Sequence, residues 1–561
     1  MPLAQNHARR IGRSAAPLLL AVLLMACTAT EAHEPRTAAA GSGLVRPGTP
    51  EAVNIARARA RGRTRGFEWA SWSPETFERA KREKRFILLD GAAEWCHWCH
   101  VMDETTYLDP EVGRLLRERF IAVRVDIDER PDIADRYGEW GWPATILFTP
   151  EAEEIGKFRG YLPPEELIPI LRDIERAAAT DAASRTARRG PGDVAPVVAA
   201  LPWVGARAAR DMDAYFDAQQ GGWGMRQKAP IGANVEFELL RHGRGDAAAL
   251  RRAVFTLEQQ RAILDPVWGG IYQYSAGRTW KDPHFEKLMT YQAASIEAYA
   301  RGYAATRDPA LLRDAQNIAR YITTLLSNKD GGFLVSQDAD VGAHDPKATF
   351  VDGHVFYGKD DAGRRALGMP RIDEHVYAFE NGLAIAALCT LHEASRDEAA
   401  LGKARRAADL VLRGHITPEG GVRHAADSSS KVVYLADAAS FGRALARLAE
   451  VTGEASYREA AVRVAKSMLH DLEDTETDAF FGHTPDPAAA GVFTRRERPF
   501  NHNVTAVRFL AALSRVTGDV SYRERAARAL AAVATPKALD EQGRMIGEFL
   551  LATDEIGAFP W

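Results

Sequence analysis

The sequence predicts two unlike parts, a small α/β module followed by a large all-helical domain of repeated hairpins. Three observations predict this: a strand, Cys-x-x-Cys, helix, strand order between residues 67 and 178; long Ala/Leu/Arg helical patterns from 199 to 561; and tight turns that recur through those helices. With 561 residues, 46% hydrophobic and 26% charged, the chain has the composition of a multidomain globular protein, which excludes a disordered or collagen-like one. Lys plus Arg number 72 against 76 Asp plus Glu, so no basic field exists to neutralise phosphates, and nucleic acid is not an expected partner. Four cysteines, at 27, 96, 99 and 389, are too few for a disulfide scaffold.

Arg9, Arg10 and Arg13 precede an uncharged run from Ser14 to Ala26, too short to span a bilayer but suited to a signal peptide over residues 1–26. The run ends Leu24-Met25-Ala26-Cys27, similar to a bacterial lipoprotein cleavage box, which makes Cys27 the expected lipidation site; an ordinary signal peptide is the other reading. Residues 27–66 read as a tether, closing in a stripe of alternating arginines from Arg57 to Arg65. The expected location is extracytoplasmic, on a membrane-anchored lipoprotein facing the periplasm.

Residues 67–178 form the α/β module. Pro74 to Glu83 predicts a helix with Ser73 as its N-cap, and Phe86 to Asp90 a buried strand. Trp95-Cys96-His97-Trp98-Cys99-His100 then opens a polar helical stretch that ends near Phe120, where a second strand runs to Val125. This context reads as thioredoxin-like. A cysteine at a helix N-terminus meets unpaired N–H groups and the helix dipole, which favour its thiolate, so Cys96 is the expected nucleophile and Cys99 the resolving thiol. A protonated His97 would favour that thiolate further. Pro143, placed before the strand Ala144 to Phe148, matches the cis-proline that faces the cysteines in such folds. A hairpin turn at 151–156, an edge strand at 157–159 and a helix at 164–178 close the module. A Cys-x-x-Cys-His run also fits c-type haem attachment, a zinc half-site or a structural disulfide; haem needs an axial partner and zinc a second ligand pair, which the flanking pattern does not supply. No metal and no cofactor is therefore expected.

Trp95 to Met102, Asp126-Ile127-Asp128-Glu129-Arg130-Pro131-Asp132-Ile133 and Gly141-Trp142-Pro143 together resemble the family that joins a thioredoxin-like domain to an α/α-toroid and includes spermatogenesis-associated protein 20. The family's Gly-Gly-Thr-Tyr-Phe-Pro-Pro stretch stands here as Phe158-Arg159-Gly160-Tyr161-Leu162-Pro163-Pro164.

Residues 179–198 read as a linker around Gly190-Pro191-Gly192. In residues 199–561, short turns at Thr306, Ser395, Thr452 and Thr517 alternate with Gly-Gly loops at Gly221, Gly269, Gly331 and Gly420. Each unit is helix, tight turn, helix, Gly-rich loop; five or six such hairpins closed into a ring make an (α/α)6 toroid of the six-hairpin glycosidase-like kind. Pro283-His284-Phe285-Glu286-Lys287 and Ser336-Gln337-Asp338-Ala339-Asp340 resemble the same family's signatures. Sugar-active toroids use paired carboxylates or histidines, so Glu286, Asp338, Asp340, His284 and His502, with Trp223 and Trp280 as aromatic planes, are the expected funnel residues. Structural roles as caps and wall packing compete with that reading. Cys389 lies in an apolar run and reads as an inert core thiol.

The preferred reading is an exported thiol-disulfide oxidoreductase acting on protein thiols or disulfides, its toroid binding a partner or glycan. A carbohydrate-active toroid with an accessory thioredoxin-like domain and a non-catalytic glycan-binding protein are the alternatives.

Overall fold

The structure, a computed structural model, describes residue 55 and residues 64–138, 141–179, 194–345 and 347–561, which fall in one compact unit. The expected signal peptide, Cys27 and most of the expected tether and linker lie outside the described residues. No helix among the described residues is long and apolar enough to cross a membrane.

The first lobe runs α1 (Pro74–Glu83), β1 (Phe86–Ala92), α2 (His97–Thr105), α3 (Pro110–Arg119), β2 (Phe120–Asp126), α4 (Pro131–Tyr137), β3 (Ala144–Phe148), β4 (Glu154–Arg159) and α5 (Pro164–Ala179). It is a thioredoxin-like fold. The sheet order is β2-β1-β3-β4, with β1 and β2 parallel and the other pairs antiparallel. Alternation along the strands splits the core in two: Ile87, Leu89, Val123 and Ile146 face α1 and α4, whereas Leu88, Ala122 and Leu147 face α3 and α5. Ser73 caps α1 by accepting the N–H of Thr76, as its position predicts. The polar stretch after the cysteines is two helices rather than one, because Asp109 and Pro110 start a new helix. The short α4 was not anticipated.

The second lobe is an (α/α)6 toroid. Its inner helices are Gly232–Gly243, Met289–Thr306, Ala378–Ser395, Leu435–Thr452, Phe500–Thr517 and Gly547–Glu555; each packs on the next and the last returns to the first. Five outer helices each follow an inner one, and Leu201–Ala214 closes the ring by packing on Gly547–Glu555. Composition decides which helix is inside. Ala378–Ser395 is apolar nearly all round and buried, whereas Glu398–Gly414 buries one stripe and shows its charges to water. Small residues let the inner helices approach: a Cβ on Gly442 would lie 2.4 Å from the Phe509 ring. The recurring turns share one geometry, a left-handed residue (Arg307, Arg396, Gly453, Gly518) followed by an outer helix that Asp308, Asp397 and Asp519 cap in three of the four cases.

The lobes are packed together. The toroid loop Gly491–Thr494 inserts Phe493 into the thioredoxin-like core, where it meets Trp72, Phe77, Tyr137 and Phe148, while Val492 N–H donates to Ala152.

Candidate functional site

β1 ends at Ala92 and the chain turns through Trp95 into α2, leaving Cys96 as the residue that caps the helix. Its Sγ accepts the N–H of Cys99 at 3.2 Å, and the two cysteines form a disulfide. That donor belongs to the first turn of α2 and is shared with the Cys96 carbonyl at 3.0 Å, so the sulfur lies at the helix N-terminus. Trp142, joined to Pro143 by a cis peptide bond, packs with Ala92, Ala93, Ile127 and both cysteines. The Trp95 indole donates to Asp128 Oδ2 at 2.7 Å. Leu288 of the toroid completes this apolar group, and each cysteine is only 3% exposed.

The toroid brings its acidic and histidine motifs to this point through short strand pairs. β5 (Tyr274–Ser275) pairs with β6 (Pro283–His284), and β7 (Lys287–Leu288) pairs with β8 (Ser336–Gln337), which β9 (Ile372–Asp373) extends. The consequence is a contact 243 positions apart in sequence: His97 Nδ1 lies 2.6 Å from Asp340 Oδ2, and Asp340 Oδ1 accepts the Gly353 N–H. Burial opposes a charge on His97, but Asp340 outweighs it and holds the imidazole up at about 10. Glu286 is buried, with Oε2 lacking a hydrogen-bond partner among the described residues, and burial pushes it up to about 7 against the pull of His97. Burial, then the His97 charge, lowers His284 to about 3; its ring stacks on Tyr274 at 4.0 Å. These groups, with Asp352 and His354, line a cavity of about 40 Å³. That volume holds a water and is far below the ~300–1,000 Å³ of ordinary ligand pockets.

Thus His284, Glu286, Asp338 and Asp340 do come together, and Cys96, Cys99 and His97 join them. Trp223 and Trp280 do not. The residue after each Gly-Gly turns inward, so Trp223 bridges back to Phe216 and is buried in the toroid core, while buried Trp280 donates its indole N–H to Gln220 O. Both are wall packing. His502 also lies elsewhere, with Nε2 2.9 Å from Asp135 of α4; burial lowers His502 to about 4 and raises Asp135, so this is a contact between lobes and not a proton-transfer pair with His284. Lys287 of the same signature is structural: its ammonium is held by Asp265 and Gly269 O, as Lys228 is held by Asp217 and Gly221 O one repeat earlier. Cys389 is fully buried and its thiol is pushed up to about 12, consistent with an inert core position.

Sequence reasoning missed three features. His424 donates from Nε2 to Asp128 O at 2.7 Å and from Nδ1 to Asp437 at 3.0 Å, clamping the loop behind Trp95. Arg371 pairs with Glu94 across the lobes. His100, Asp338 and His344 converge as two imidazoles and a carboxylate, although no metal was expected. None has a local signal, since each joins segments distant in sequence.

Residues 61–184 match the family described as Thioredox_DsbH, protein of unknown function, DUF255. The chain is similar to spermatogenesis-associated protein 20 of Mus musculus, 30% identical over 311 residues, 49% of this chain and 39% of that protein; it therefore spans well under half the length of the curated relatives it matches first. The chloroplastic thioredoxin Y1 of Arabidopsis thaliana is 31% identical over 87 residues, 16% of this chain and 48% of that protein. Among solved structures, a D-mannose isomerase matches with TM-score 0.47 and 12% identity, covering 65% of this chain and 99% of that one.

Proposed function

We propose that the chain is an exported thiol-disulfide oxidoreductase whose toroid covers the Cys96–Cys99 pair and controls access to it. The observation that carries this reading is the placement of Cys96 Sγ at the N-terminus of α2, under the N–H of Cys99. In the reducing direction the Cys96 thiolate attacks a substrate disulfide, releasing one substrate thiolate and forming a mixed disulfide. Cys99 then displaces the second substrate thiol and leaves the Cys96–Cys99 disulfide, so two electrons pass to the substrate. The reverse sequence oxidises a substrate dithiol. With Leu288 packed on the buried pair, exchange with a protein requires the toroid to move off it. Protein thiols or disulfides are the partners, and the N-terminal pattern ending at Cys27 supports export with a lipid anchor on the periplasmic face.

Cys99→Ser tests the reading. Without the resolving thiol the variant should accumulate a mixed disulfide through Cys96 on incubation with a disulfide-containing protein, and Cys96→Ser should not. Equal trapping by both variants would sink it.

Glu286 supports a second reading. A buried carboxyl near 7 beside a neutral His284 is an acid–base pair suited to a sugar ring held in the toroid, alongside which the thioredoxin-like lobe would be accessory, or to glycan binding without turnover. The present cavity admits water and not a sugar. Sugar turnover that survives Cys96→Ser and is lost in Glu286→Gln would favour that reading over the redox one.

A further inference from the structure

The redox chemistry leaves His100 unused. It lies on α2 directly after Cys99, 7% exposed, and among the described residues its Nδ1 is buried with no hydrogen-bond partner. A buried nitrogen left without a partner is costly, so its surroundings matter. Nδ1 points at Asp338 Oδ2 from 3.6 Å, too far for a hydrogen bond. The same oxygen meets Nε2 of His344 at 3.0 Å, and the two imidazole rings stand edge to face with centroids 4.5 Å apart. One ligand atom from each of the three residues lies within 4.8 Å of the others. Two ring nitrogens and one carboxylate oxygen thus lie close together, and one of the nitrogens has no hydrogen-bond partner among the described residues.

We propose that His100, Asp338 and His344 bind a divalent transition-metal ion of the zinc(II) class, bridging the redox helix and the toroid. Two imidazoles and a carboxylate suit zinc and its first-row neighbours rather than magnesium or calcium, which take oxygen donors. Three protein ligands leave a fourth position, and the half-open His344 side chain, 23% exposed, sets that position toward water. The carboxylate is already oriented: Asp338 Oδ1 accepts the Asp340 N–H at 3.2 Å, which turns Oδ2 toward the two rings. The toroid segment that supplies His344 lies between Asp340, the partner of His97, and the short helix Gly353–Tyr357. A bound ion would tie α2, and with it both cysteines, to that segment.

The test is zinc chloride titrated calorimetrically into the purified full chain, chelator-treated and with the Cys96–Cys99 disulfide formed. One zinc per chain at micromolar affinity or tighter is expected, with at least tenfold weaker binding in His344→Ala, whose site on an exposed loop spares the fold as checked by circular dichroism. Cobalt(II) should give visible ligand-field bands in the native protein that His344→Ala lacks, and Cys96→Ser/Cys99→Ser should still bind. Absence of stoichiometric binding in the native chain, equal affinity in His344→Ala, or binding that vanishes with the cysteines would overturn the proposal.

Discussion

At the residue scale the proposed exchange chemistry turns on one pairing. His97 sits next to Cys96 and is held charged by Asp340, a residue of the other lobe. A positive neighbour stabilises the thiolate and hence the reduced form, making the couple more oxidising. His97→Ala removes that charge and leaves Asp340 facing the pair, so the reduction potential should fall by about 30 mV, a tenfold change in equilibrium, as read by equilibration with glutathione. An unchanged potential would mean the His97–Asp340 pair only docks the lobes. The members of this cluster were legible where they stand in consecutive runs, Cys96 to Cys99, His284 to Glu286 and Asp338 to Asp340. Their union was not, because nothing local records which toroid loop lies over α2. Trp223 shows the opposite failure: an aromatic after Gly-Gly has the look of a sugar platform, but a left-handed turn at Gly221 and Gly222 folds it back on Phe216.

At the element scale, the long toroid helices announced themselves, and the short α4 and the contacts between lobes did not. Outer helices carry a left-handed turn residue and mostly an Asp cap, inner helices carry continuous apolar runs, and both signals are local. The Gly491–Thr494 turn has neither, yet Phe493 completes the core beneath the sheet. Its deletion to Ala removes a 5%-exposed ring, a change that costs about 3–5 kcal/mol in a typical core. Because part of that packing holds the lobes together, Phe493→Ala should lower the thermal midpoint and also speed dithiothreitol reduction of the Cys96–Cys99 bond at least tenfold. A lower midpoint with an unchanged reduction rate would show that the lobes do not gate the site.

At the scale of the whole molecule, the thioredoxin-like lobe rests on the end of the ring where inner helices begin, through His97–Asp340, His424–Asp128 and His502–Asp135. Of these, His424 gives the clearest pH signature. Both ring nitrogens face acceptors, which requires the imidazolium; burial opposes the charge, but Asp437 outweighs it and raises the group to about 9. A raised folded-state value contributes stability that is complete below about 6.5 and is lost as pH rises through about 9. The stability difference between native protein and His424→Ala, measured by urea unfolding, should therefore shrink between pH 6 and pH 10; a constant difference would refute the charged clamp.

The central claim is that a covered cysteine pair is a working redox couple. Its reduction potential in the purified protein tests this most directly: the account predicts a reversible couple between about −120 and −270 mV, the range of thiol-disulfide exchangers. A value below about −300 mV would mark a structural disulfide and contradict it.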